Sequence, residues 1–455
     1  MINRFALCGT LIHAPVCGEV EVLKEALVLV DDDGVISEVI SPESDRYAAT
    51  KSKLVEDGRL VQLSEGQYLM PGLIDLHVHA PQWPQAGNAL NVPLYEWLQA
   101  YTFPLEAKYA DLAFAKKSYT SLVDTLVANG TTTTMYFATV HLESTKVLAD
   151  ICLAKGQRAL VGKVAMDNPD ECPEYYRDAS VQQGLDDTRT LIDYIRELPG
   201  NENQRVLPVV TPRFIPSCTD EMLSGLAQLA EEYDCHVQTH CSESDWEHDY
   251  VINRHGKRDT QSLNHFKLLT DKTVLAHSCF ITDEDMRTIK QQESGIAHCP
   301  ISNAYFANGV FPARQALDLE LNVGLGTDVA GGTTPSLLEN CGAAITASRY
   351  LEGGVDTEIS AAERGKPQAR IDFKEAFWMA TTGGGKALNL NIGLLKAGYA
   401  FDAIVIDTHI ENTNLAVWAD LDDVEDVLQK IIYNAGRQNI RKVWVQGDLI
   451  GGADH

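Results

Sequence analysis

The stretch PGLIDLHVHA, residues 71–80, runs an apolar, strand-forming segment straight into two histidines, His77 and His79. Side chains two apart on a strand point to the same face, so both imidazoles project from one strand end toward one point. That is the placement required of two ligands to a single metal ion. An H-x-H pair also occurs on ordinary surfaces, so its meaning depends on what stands at the ends of the other strands.

Working outward, residues 66–390 repeat a theme of a short apolar or β-branched run, a polar or Gly/Pro break, and a helix-periodic stretch. This is the rhythm of β/α units. Eight strands are predicted: LIDLHVH at 73–79, TTTTMYF at 131–137, RALVGKVAM at 158–166, RVLPVVTPRF at 205–214, CHVQTH at 235–240, TVLAHS at 273–278, GIAHCP at 295–300 and NVGLGTD at 322–328. Helix signals fall between them. Thr219 is a predicted N-cap ahead of Met222, Leu223, Leu226, Leu229 and Ala230, and Thr282 with Asp285 forms a predicted capping box, with Gly295 expected to stop the chain before the next strand. Eight units in roughly 300 residues suit a (β/α)₈ TIM barrel, whose usual size is about 250 residues before insertions. The flanks, 1–65 and 391–455, alternate apolar and polar residues with frequent turn signals, so both ends are expected to build one small antiparallel β-sandwich domain beside the 66–390 barrel.

The 455 residues carry 37 basic and 64 acidic side chains, a net charge of −27 with no basic block, which repels phosphate backbones and anionic lipid. Neither a nucleic acid nor a membrane is expected as a partner. The first residues lack a secretory signal, no apolar run approaches a membrane span, and the ten cysteines are scattered without C-x-x-C spacing. A cytoplasmic protein with reduced thiols is the expectation.

A barrel places its functional groups at the C-terminal ends of its strands. Those ends hold His77 and His79 on strand one, Arg213 and Phe214 on strand four, His240 on five, His277 on six, His298 on seven and Asp328 on eight. Imidazole nitrogens with one carboxylate suit a catalytic divalent ion that keeps a position open for water, and His77, His79, His240 and Asp328 are the expected ligands. His277 then stands beside that water, although the residues alone leave its ligation open. Glu243, three residues beyond His240 in THCSE, sits where a carboxyl can deliver a proton to a ring nitrogen. His298 and Asn303 in HCPISN either line the pocket or brace the loop after strand seven. The aromatic segment PLYEWLQAYTFPLE, 93–106, either covers the pocket or forms a subunit contact, with Trp97 and Tyr101 expected to be buried.

As an ordered set, PGLIDLHVHAPQ, PRFIPSC, THCSES, LAHSCF, AHCPISN and GLGTDVAGG resemble the amidohydrolase superfamily. HAPQ followed by PLYEWLQAYTFPLE, with PRF and GTDVAGG, resembles its guanine-deaminating branch. The resemblance implies the barrel with its terminal β domain, a homodimer, a role in purine catabolism, and one zinc ion per subunit, with ferrous iron the alternative. The implied reaction converts guanine to xanthine and ammonia by a metal-activated water. It places His77, His79, His240 and Asp328 on the metal, with Glu243, His277 and Asp328 catalytic. Gln82, Arg213, Phe214, His240 and Asp328 contact the purine. Binuclear members carry a carboxylated lysine at the end of strand four; here that strand ends in TPRF, which favours a single metal. Two other readings share the motifs: an amidohydrolase of another aminated heterocycle (8-oxoguanine, a pterin) or a chlorohydrolase, and a non-catalytic metal-binding barrel. The H-x-E with P-C-x-x-C pattern of cytidine deaminases is absent.

Overall fold

In the computed structural model, which describes residues 4–454, the run LIDLHVH forms the strand Leu73–His79 with every residue buried. Residues 1–3 and 455 of the expected terminal unit lie outside the described residues. Seven further strands follow in parallel, each beside the last: Thr131–Phe137, Arg158–Gly162, Val206–Pro212, His236–Cys241, Thr273–His277, Gly295–His298 and Asn322–Leu325. The eighth returns to the first. Asp328 N donates to His77 O at 2.8 Å and His79 N to Val329 O at 2.9 Å. Asp75, fully buried inside the first strand, accepts from Thr327 N at 2.9 Å and from Thr327 Oγ1 at 2.6 Å. These bonds close the (β/α)₈ barrel and fix the height of Asp328 against His77.

The helices form where their caps predict. Thr219 accepts from Met222 N at the start of Asp220–Glu232, and Thr282 with Asp285 completes a capping box on Asp283–Gln291. Gly295 does not act as a helix stop. It is the first residue of its strand, and a Cβ there would meet the Ala387 carbonyl oxygen at 2.7 Å, so close packing of backbone explains the glycine. The segment 158–166 is interrupted at Lys163, whose buried ammonium turns to Asp178 Oδ1 at 2.6 Å before the chain resumes as Val164–Ala165.

Both ends of the chain build a second, eight-stranded sheet: Phe5–His13, Glu21–Val30, Ile36–Ile40, Leu60–Gln62, Gln67–Pro71, Ala403–Asp407, Ile440–Val445 and Asp448–Gly451. Most neighbours are antiparallel, but Phe5–His13 runs parallel to Leu60–Gln62 and to Gln67–Pro71. Leu7, Leu11, Val28, Leu69, Ala403 and Trp444 form its own core around Phe401. Two helices interrupt the alternation expected of these flanks, Tyr47–Glu56 and Val424–Asn434. The second has a capping box at Asp423 and buries Val427, Leu428, Ile431 and Ile432 on one helical face. A buried ion pair, Arg158 Nε to Asp402 Oδ2 at 2.9 Å, joins barrel to sheet. Among the described residues no helix is long and apolar enough to cross a membrane.

Candidate active site and metal centre

All the strand-end residues read from the sequence except His298 meet at one cavity or directly beneath it. Its walls include His79, Gln82, Arg213, His240, Glu243 and Asp328, with Leu94, Trp97, Leu98, Phe214 and Phe306 supplying apolar surface. His77 and His277 lie underneath, fully buried. His298 packs on Phe311 instead, with ring centroids 5.0 Å apart.

The floor is a cluster of imidazoles around one carboxylate. His77 Nε2 is 3.1 Å from Asp328 Oδ1, His79 Nε2 is 3.6 Å from the same oxygen, and His79 Nε2 and His240 Nε2 approach to 3.0 Å. Side-chain atoms of the kind that can bind a metal lie within 4.8 Å of one another in His77, His79 and Asp328, in His77, His240 and His277, and in Glu243, His277 and Asp328. Burial, and then the neighbouring rings and Arg213, hold His77, His79 and His240 well below the ordinary imidazole pKa, so all three are neutral with lone pairs available. The His240 Nδ1–H donates to the Arg213 carbonyl at 2.6 Å and the His277 Nδ1–H to Asn303 Oδ1 at 2.9 Å. Each bond leaves Nε2 unprotonated and aimed inward. The Nε2 atoms of His77 and His277 are buried with no hydrogen-bond partner among the described residues. The unsatisfied Nε2 of His77, crowded with the Nε2 atoms of His79 and His240 around the Asp328 carboxylate, costs free energy as it stands, and a divalent cation held by these four side chains satisfies it. The donor set therefore fits one metal ion.

The backbone here is held in a sparsely populated region. His277, Ser278, Asp328 and Ser242 have φ of 70°, 56°, 48° and 50°. Each left-handed residue other than glycine costs about 1–2 kcal/mol. Gly331 allows the close approach that follows, since a Cβ there would stand 2.8 Å from Asp328 Oδ2.

Glu243 stands at the rim of this cluster, with Oε1 3.6 Å from His277 Nε2. Burial, reinforced by the Asp328 charge, pushes its carboxyl well above the usual carboxylate range despite Arg213 nearby. A carboxyl shifted in that direction holds its proton more tightly than an exposed one, as suits a group that donates. Opposite lies a wall built from loops. Arg213 is 2% exposed; Nη1 donates to Glu106 Oε2 at 2.6 Å and Nη2 to Glu106 Oε1 at 3.2 Å, and the guanidinium lies 5.0 Å above the Phe103 ring. Gln82 Nε2 donates to the same Glu106 Oε1 at 2.9 Å, while its Oε1 accepts from Ala330 N at 3.3 Å. Burial acts against the Arg213 charge, but the Glu106 carboxylate outweighs it and raises the pKa.

A family model described as Amidohydrolase family matches residues 68–450. The chain belongs to the amidohydrolase family. The guanine deaminases of Dictyostelium discoideum and Homo sapiens are each 36% identical to this amidohydrolase, covering 97% of it and 97% and 95% of their own lengths. A solved guanine deaminase from C. acetobutylicum, with guanine bound in its active site, is 32% identical and superposes with a TM-score of 0.86 over 98% of this chain and 100% of that one.

Three residues of this amidohydrolase's site are absent from the sequence reading in any definite role. Asp75, whose carboxyl burial pushes up to about 7, was hidden inside an apolar strand. Asn303 was left undecided; it braces His277. Glu106 closes the 93–106 segment, and its partner Arg213 lies far along the chain. In that same segment Trp97 is buried against Phe306, with ring centroids 4.9 Å apart, but Tyr101 is 45% exposed, contrary to expectation. The π-helical turn Leu98–Thr102 turns Leu98 and Thr102 inward and leaves Tyr101 facing out.

Proposed function

We propose that this amidohydrolase is a guanine deaminase that exchanges the 2-amino group of guanine for water's oxygen, giving xanthine and ammonia. One observation carries the reading: one cavity sets the buried Glu243 carboxyl between the imidazole–carboxylate floor and a wall of fixed donors, Arg213 and Gln82. His77, His79, His240 and Asp328 are the residues that would hold the metal, zinc by preference and ferrous iron as the alternative. Such an ion supplies a Lewis acid that lowers the pKa of water toward ~7, making a nucleophile at neutral pH.

The chain's own groups do the rest. Asp328 takes the proton of the attacking water, and His277, its ring set by Asn303, orients that water. Glu243 protonates ring nitrogen N3 as C2 becomes tetrahedral; Asp328 then passes the proton it took from the water to the amino group, which leaves as ammonia as the C2 carbonyl forms, and the C2 hydroxyl proton returns to Glu243. Phe214 offers a face for the purine ring, while Leu94, Trp97 and Leu98 exclude bulk water and raise the strength of each polar contact. Arg213 and Gln82 meet the 6-oxo edge. The chemistry belongs to the barrel unit, proposed as 66–390 with 1–65 and 391–455 as the terminal unit, save that Gln67–Pro71 pairs into the terminal sheet.

Ammonia release from guanine, 8-oxoguanine, pterin and adenine in parallel tests this reading: guanine leads adenine in kcat/KM by about 10²-fold or more. A higher rate with any of the other three overturns it. The reading extends to a cytoplasmic homodimer serving purine catabolism, in keeping with ten unpaired cysteine thiols and with the family resemblance. Sedimentation of the purified protein checks the dimer.

A further inference from the structure

The donors that face the substrate are not independent of one another, because Gln82 and Arg213 are both bound by one carboxylate. Glu106 is fully buried at the end of the short helix Phe103–Glu106 and is not part of the cavity lining. Its Oε1 accepts from Gln82 Nε2 at 2.9 Å and from Arg213 Nη2 at 3.2 Å, and its Oε2 accepts from Arg213 Nη1 at 2.6 Å. A carboxylate only accepts, so it dictates which end of the Gln82 amide turns toward it. The amide oxygen is in turn fixed by Ala330 N. A flipped Gln82 would set its oxygen against a Glu106 oxygen and its NH₂ against a backbone N–H, losing both bonds and creating two repulsive contacts. Arg213, with two of its five N–H groups on Glu106, keeps the others for its cavity side and cannot swing away without leaving a buried carboxylate unpaired.

We propose that Glu106 is a positioning residue that sets substrate preference, by locking Gln82 and Arg213 so that they offer only N–H donors to the purine edge. A carbonyl at C6 accepts from such a wall. An amino group at the same place brings further N–H bonds against it and leaves buried donors unpaired, the kind of mismatch that discriminates most strongly. This inference rests on the reading of the cavity as a guanine site.

The test compares metal-loaded wild type, Glu106→Gln and Glu106→Asp, using guanine as substrate and 2,6-diaminopurine as competitor. The quantity read is the ratio of the inhibition constant of 2,6-diaminopurine to KM for guanine, with metal content measured alongside. Glu106→Gln, whose own amide can accept or donate, lowers that ratio by about tenfold or more and acts mainly through KM. Glu106→Asp keeps an acceptor-only partner and holds the ratio within about threefold of wild type. A ratio unchanged in Glu106→Gln, or lowered equally in both variants, overturns the proposal. If Glu106→Gln yields no folded protein, Glu106→Ala, which removes the acceptor altogether, decides on the same ratio: a fall of about tenfold or more with metal content kept supports the proposal, and an unchanged ratio overturns it. Wild type that turns over no guanine defeats the guanine reading and this inference with it; wild type that does so with an unmoved ratio defeats the inference alone.

Discussion

The floor and the wall of the cavity are built by different means. The floor residues His77, His79, His240 and His277 ride on barrel strands or their last positions, and Asp328 follows the eighth strand, pinned through Asp75, Thr327 and His77. Their positions follow from the register of a parallel ladder. The wall residues Gln82, Glu106 and Arg213 sit on a 3₁₀ turn, a one-turn helix and the residue after a strand, and their side chains are joined to one another by the bonds to Glu106, with Ala330 N and the Phe103 ring as further supports. The floor is anchored by the scaffold; the wall is anchored by a buried ion pair.

Glu243→Gln is the most severe way to probe the floor's side of this contrast. It removes the acid while leaving size and ligands in place, and kcat is expected to fall about 10³-fold with metal content unchanged by elemental analysis. Near-normal turnover in metal-replete protein would refute the role. Arg213→Ala breaks the wall: KM for guanine rises about 10²-fold and stability drops by about 3–5 kcal/mol, because Glu106 is left as an unpaired buried carboxylate. Metal content should hold, and its loss in parallel would mean that floor and wall are one unit. Asn303→Ala loosens the floor without touching a ligand, freeing the His277 ring; about a tenfold fall in kcat with KM kept is expected from steady-state kinetics. At the small end, Tyr101→Ser should change chemical-denaturation stability by no more than about 0.5 kcal/mol, as suits an exposed side chain on a wall element whose inward residues do the packing.

The same contrast governs how much could be read from the chain. His77 and His79 announce themselves because a strand has period two, and the other strand ends could be found from the β/α rhythm once the first was placed. Asp328 was legible for the same reason, as the polar terminus of GLGTD. Glu106 was not, because PLYEWLQAYTFPLE reads only as an aromatic, partly apolar segment and nothing in its pattern points to an arginine more than a hundred residues away. Tyr101 was misjudged because composition says nothing about the π-helical turn that rotates it outward. The helix Val424–Asn434 was within reach, since Asp423 and Asp426 spell a capping box ahead of a helix-periodic apolar run, but the strand alternation of its surroundings concealed it. The terminal sheet itself was visible from its turns, whereas its parallel pairs depend on partners that no local pattern names.

One joint in that sheet also bears on how the molecule is made. Gln67–Pro71 lies beside Ala403–Asp407, and their paired residues are roughly 330 positions apart. During synthesis at about 5–20 residues per second, the early strand waits on the order of 20–60 s for its neighbour. Through that interval the edge of Gln67–Pro71 that will receive Ala403–Asp407 is open, and one glycine further on begins the strand that carries His77 and His79. Until Ala403–Asp407 is made, that edge of Gln67–Pro71 is an unpaired strand edge directly ahead of the strand that bears His77 and His79.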